Sequence, residues 1–118
     1  MDRSIDFYTK HLGLELTSRR EIAANNAEVA FLRDQEAKGA ILELTFYRDQ
    51  TEFSQPDYAD RLFDHLAFEV QDIATTLTEM RNAGIVVTDE PFRLSPSGPI
   101  IAFVEDPDGT LIELIQRR

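Results

Sequence analysis

Apolar and polar residues follow nearly the same order at two places in the chain, AFLRDQEAKGAILEL at 30–44 and AFVEDPDGTLIELI at 102–115. The C-terminal part is the easier to parse. In FDHLAFEV (63–70), Leu66, Phe68 and Val70 alternate with His65, Ala67 and Glu69, the two-residue period of a strand. From 72 to 83 the period lengthens: Ile73, Leu77, Met80 and Ala83 fall on one helical stripe, opened by Asp72 as N-cap and closed by Gly84 just past the end. Apolar stretches at 85–88, 99–105 and 110–116 predict three further strands, the last two joined by a tight turn at Pro107-Asp108-Gly109. The unit reads βαβββ.

Laid over the N-terminal part, the same pattern predicts a helix near 2–12, with Ile5, Tyr8 and Leu12 inward and Gly13 as its stop. Strands near 14–20, 27–33 and 40–47 follow. Matching landmarks keep a nearly constant offset: Gly13 and Gly84 are 71 apart, Phe31 and Phe103 72, Glu43 and Glu113 70. One module written twice implies an α+β architecture of paired βαβββ units. The counterpart of FDHLAFEV would fall before Met1, so the first module is expected to lack its opening strand and any match to His65. The expected organisation is one domain, 1–118, with module one at 1–47, a polar linker at 48–62 broken by Pro56, and module two at 63–118. PFRLSPSGP (91–99) reads as an irregular loop that could fold over a cleft.

Size and composition agree with this. A chain of 118 residues with 42% hydrophobic residues suits one compact domain and is short for two ordinary ones. Its apolar runs are only a few residues long, so no membrane association is expected. The absence of cysteine excludes disulfides and thiolate metal sites and suits a cytoplasmic location. Twenty-two acidic against twelve basic residues give a net charge of −10, which disfavours nucleic acid and favours divalent cations as partners.

Three residues stand out chemically. In AILELTFY (40–47), Glu43 shares a face with Ile41, Thr45 and Tyr47, opposite Leu42, Leu44 and Phe46. In TLIELIQ (110–116), Glu113 lies between Leu111 and Ile115, opposite Ile112 and Leu114, and His65 lies opposite Leu66 and Phe68. All three are expected to face away from the helices. Singly, a strand glutamate is ordinarily solvated and a strand histidine is ordinarily satisfied by a local hydrogen bond. The two glutamates, however, hold equivalent repeat positions, and a desolvated carboxylate among aliphatic side chains requires a partner. A divalent metal is one such partner, and this nitrogen and oxygen donor set suits zinc, nickel, cobalt, manganese or iron. On the first helix, Asp6 and Lys10 read as an exposed i, i+4 ion pair and Tyr8 as core, not as catalytic groups.

The phrases SIDFYTKHLGLEL (4–16), ILELTFY (41–47), FDHLAFEV (63–70) and IAFVEDPDGTLIELI (101–115) carry a resemblance over nearly the whole chain. The sequence resembles the vicinal-oxygen-chelate (glyoxalase/bleomycin resistance/dioxygenase) family and, within it, the lactoylglutathione lyases, or glyoxalases I. The resemblance implies the glyoxalase fold, a homodimer, and a divalent metal, with nickel, zinc or cobalt expected. Three of the family's four metal ligands carry over, onto Glu43, His65 and Glu113; the fourth sits on the family's first strand, whose counterpart would fall before Met1. The implied reaction is isomerisation of a 2-oxoaldehyde–glutathione hemithioacetal to a 2-hydroxyacyl thioester, as in methylglyoxal detoxification, with Glu113 as the base and Glu43 assisting.

Two departures bear on the thiol. Phe46 is followed by Tyr47 where the family's lyases carry an asparagine for glutathione, and Arg93 is the one basic residue the 91–99 loop offers to the tripeptide carboxylates. Two other functions share the scaffold. A ring-cleaving iron dioxygenase would use two histidines and one carboxylate, leaving Glu43 superfluous. A non-catalytic drug-sequestering protein would use the acids as counter-charges and Phe31 and Phe103 as stacking walls.

Overall fold

The computed structural model describes residues 1–36, 39–54, 59 and 63–117 and divides into two compact units, Met1–Ser54 and Gln55–Arg118. The linker residues 55–58, Pro56 among them, and 60–62 lie outside the described residues.

In the second unit, strand β4 (Leu66–Glu69) leads into helix α2 (Ile73–Asn82), followed by β5 (Val87–Phe92), β6 (Ile100–Glu105) and β7 (Leu111–Gln116). The sheet order is β4-β7-β6-β5, with β4 parallel to β7 and the other pairs antiparallel. Helix α2 starts where the side chain of Asp72 accepts the backbone N–H of Thr75 at 2.7 Å. It ends in a Schellman closure: Gly84, at φ +78°, donates to the Arg81 carbonyl and Ile85 to that of Met80. Ile73, Leu77 and Met80 are buried as the helical spacing predicts, whereas Ala83 lies in the closing turn and is exposed. They share the core with Ala102, Val104, Ile112 and Leu114, all fully buried.

Two strand boundaries differ from the sequence expectation. The apolar run at 85–88 suggests a strand there, but Ile85 is used in closing the helix, and the ladder begins only when Glu105 donates to the Val86 carbonyl. Strand β5 therefore runs later and takes in Pro91 and Phe92, which read as loop in the sequence. It lies at the sheet edge, with register shifts between Val87 and Asp89 and between Asp89 and Phe92, where a proline is tolerated. Strand β4 is shorter than 63–70 and leaves His65 immediately before its first residue. The turn at 107–109 is present, with Gly109 at φ +84°. Buried Asp106 organises it, its carboxylate accepting the N–H groups of Asp108 at 2.9 Å and Thr110 at 2.8 Å.

The first unit repeats this scheme. Helix α1 (Asp2–Asp6) passes into a π-helical turn at Phe7–His11, then β1 (Glu15–Ile22), a 3-10 turn at Ala23–Asn25, β2 (Ala27–Arg33) and β3 (Ile41–Tyr47). The strands form an antiparallel sheet in the order β1-β2-β3. A regular helix was expected over 2–12. Instead the second half is π-helical, and within it the Thr9 hydroxyl donates to the Ile5 carbonyl at 2.8 Å. Adjacent Phe7 and Tyr8 are both buried, as an edge-to-face pair 5.1 Å apart. Asp6 and Lys10 form the expected exposed ion pair at 3.0 Å. Buried Glu28 on β2 is held by Arg19 and lies 3.5 Å from Arg48, so its charge is compensated.

Candidate active site

Pairing in the second sheet puts three side chains side by side. Glu113 on β7 has Ala67 of β4 as its neighbour on one flank and Phe103 of β6 on the other. The methyl side chain of Ala67 leaves the carboxylate open on that flank, and the strand that carries Ala67 begins one residue after His65. The imidazole is thereby delivered to Glu113: His65 Nε2 lies 3.0 Å from Glu113 Oε2. Its other nitrogen, Nδ1, lies 2.8 Å from Asp64 Oδ1. Phe103 meets the imidazole edge-on at 5.4 Å and 85°, and Phe92 stacks on Phe103 at 6.4 Å and 20°.

The side chain of Glu113 retains 16% of its exposure and that of His65 32%, so the pair is partly shielded from solvent. The pKa of His65 is raised, chiefly by its hydrogen bond to Asp64. Burial works against this, and Glu113 adds to it by charge and hydrogen bonding. A protonated ring donates to both acids. A neutral ring has one lone pair facing a carboxylate, an arrangement that favours arrival of a cation between the two.

Of the residues singled out from the sequence, His65, Glu113 and Phe103 come together in the second unit. Glu43 and Phe31 belong to the first, where they are cross-strand neighbours, as Glu113 and Phe103 are in the second. Glu43 is exposed and accepts the Thr45 hydroxyl at 3.1 Å. The Arg20 guanidinium lies 5.6 Å from the Phe31 ring centre. Arg93 donates from Nη1 to the carbonyl of Gly98, closing its own loop. Sequence reasoning missed Asp64 and Phe92. Asp64 was visible as an acid beside a histidine, but not its aim; Phe92 was hidden in a segment read as irregular.

Among the described residues, no three His, Asp or Glu side chains are gathered so as to hold a metal ion. The acids and imidazole of 64, 65 and 113 lie in line, with the ring between. The donors nevertheless suit a divalent metal in type: one imidazole nitrogen and one partly buried carboxylate open toward each other, the nitrogen and oxygen pairing that nickel, zinc and cobalt accept.

Two βαβββ-type units, the first starting at its helix, make up the glyoxalase fold, and the second sheet carries a histidine–glutamate pair. The family model for the glyoxalase/bleomycin resistance protein/dioxygenase superfamily matches residues 1–114, and the chain belongs to that superfamily. Within it the chain is lactoylglutathione-lyase-like. A Vibrio cholerae protein described as "Probable lactoylglutathione lyase" is 36% identical over 119 residues, covering 100% of this chain and 83% of that protein. Glyoxalase I of Leishmania major, described as trypanothione-dependent, has 32% identity and a TM-score of 0.79 over 98% of this chain and 78% of its own. Glyoxalase I of Zea mays has 29% identity and a TM-score of 0.79 over 98% of this chain, which spans 40% of the maize chain.

Proposed function

We propose that the chain isomerises the hemithioacetal of a 2-oxoaldehyde and a thiol, glutathione being the first candidate, to the 2-hydroxyacyl thioester. The observation that carries this reading is Glu113: a partly buried carboxylate, flanked by Ala67 and Phe103 and 3.0 Å from an imidazole nitrogen, within a chain whose relatives are lactoylglutathione lyases. His65 and Glu113 are the metal donors of the second unit. Glu43, the repeat equivalent of Glu113, is the further carboxylate of this reading. When bound, the metal supplies Lewis-acid stabilisation of negative charge developing on the substrate oxygens.

Glu113 acts as the base. It removes the proton from the carbon that bears sulfur and hydroxyl, and the proton is returned to the neighbouring, former carbonyl carbon. The hydroxyl proton passes to the former carbonyl oxygen, a carbonyl forms beside sulfur, and no atom is gained or lost. Phe103 and Phe92 offer an apolar wall to the aldehyde side chain and limit water access to the reacting carbon. The reading includes a homodimer in the cytoplasm, consistent with a cysteine-free composition. Among the described residues, no helix is long and apolar enough to cross a membrane.

The direct test is to load the purified chain with Ni²⁺ or Zn²⁺ and follow thioester formation from methylglyoxal and glutathione. Metal-dependent turnover is the expected result. A chain that binds the metal yet turns over neither this hemithioacetal nor one made from another thiol would overturn the assignment.

A further inference from the structure

The contact that the proposed reaction leaves unused is the one between Asp64 and His65. The Asp64 carboxylate lies 2.8 Å from Nδ1, on the far side of the ring from Glu113. The Asp64 side chain is 55% exposed.

The neutral imidazole carries one proton, and two carboxylates compete for it. If Glu113 alone faced the ring, the proton would settle on Nε2, the nitrogen through which His65 addresses Glu113, and that lone pair would be masked. A carboxylate at Nδ1 offers the proton a second seat and fixes the ring plane as it does so. We propose that Asp64 is a positioning residue: it holds the His65 proton on Nδ1 and so keeps Nε2 free as the donor on the Glu113 side. This rests on the proposed function in one respect, that His65 is a metal donor. Asp64 touches neither substrate nor metal and acts only through the ring.

The chain has two histidines, His11 and His65, so ring nitrogen signals in NMR spectra are assigned with a single His11→Gln control. In the metal-free chain, at a pH where the ring is neutral, Asp64→Ala is expected to move His65 toward the Nε2-protonated form, with Asp64→Asn restoring the wild-type balance through its amide oxygen. In the Zn²⁺-loaded chain, the Nδ1 proton of His65 should be protected from solvent exchange in wild type and in Asp64→Asn, and lost to exchange in Asp64→Ala. Ni²⁺ affinity of Asp64→Ala should fall about 10–100-fold, the usual cost of removing a carboxylate behind a ligating histidine.

His65→Ala separates the two ideas. Ni²⁺ binding lost in His65→Ala but unchanged in Asp64→Ala, with the ring proton undisturbed, would overturn the role of Asp64 and leave the metal site standing. A folded wild-type chain that binds no Ni²⁺ would overturn both.

Discussion

The two units write the same phrase and end with different chemistry. In each, a phenylalanine on the middle antiparallel strand stands beside a glutamate on the next, Phe31 with Glu43 and Phe103 with Glu113. In the second unit β7 also has a parallel neighbour, β4, which brings His65 to the carboxylate. In the first, among the described residues, β3 is the sheet edge, and Glu43 is exposed with the Thr45 hydroxyl as its hydrogen-bond donor. A strand's own sequence sets its register and faces. What a carboxylate on that strand can do is set by the strand alongside it.

Exchanging each glutamate for glutamine probes this difference most severely. Glu113→Gln should lower turnover of the methylglyoxal–glutathione hemithioacetal about 10²–10⁴-fold, the range for loss of a positioned base, with an unchanged thermal midpoint. Glu43→Gln should cost less in turnover and act chiefly on metal affinity. Equal losses in kcat for the two variants would show that the repeat, not the neighbouring strand, assigns the role of base.

Core truncation at the repeat-equivalent positions Leu114 and Leu44 comes next. Leu114 is fully buried, and Leu114→Ala should destabilise by about 2–5 kcal/mol in urea denaturation. Leu44 is half-buried, and Leu44→Ala should cost about 1–2 kcal/mol. A reversed order would mean that the first sheet carries more of the fold's stability than its packing indicates.

The gentlest contrast lies at the helix starts. Asp72 caps α2, and the Thr75 N–H holds its carboxyl below the usual carboxylate range. A carboxyl whose folded pKa is depressed stabilises above its unfolded value and loses that contribution as pH falls through the folded one. The thermal midpoint of Asp72→Ala should therefore lie below wild type at neutral pH, and the gap should close on acidification below the ordinary aspartate pKa. Helix α1 has Met1 at its N-cap and no side-chain cap bond, so no such cap effect arises there. A gap that persists in acid would argue that Asp72 works by something other than its charge on the helix start.

Local chemistry accounts for what was legible in the chain. Asp72 and Gly84 bracket α2 because a side-chain acceptor and a left-handed residue act within one turn of where they stand. Ile112 and Leu114 alternate with Glu113 because a strand has a period of two. The repeat carried the equivalence of Glu43 and Glu113, and the family resemblance supplied their expected role. Less local features escaped. The π-helical turn at Phe7–His11 carries no local signal that separates it from a regular turn, since threonines of α2 make the same bond to the carbonyl four residues back, and the late start of β5 depends on Ile85 being taken by the helix end. The aim of Asp64 depends on where the His65 ring is drawn, which Glu113 decides from 48 positions away.

By itself, then, the sequence determined the two modules, the faces of their strands and the residue types available for chemistry, because each follows from interactions spanning a few residues. Only the tertiary structure decided which of two equivalent glutamates meets an imidazole, because parallel pairing of β4 with β7 joins segments that no local period connects. The same pairing set an aspartate behind the ring and an aromatic stack beside it, and it is this convergence that makes a strand glutamate into a candidate base.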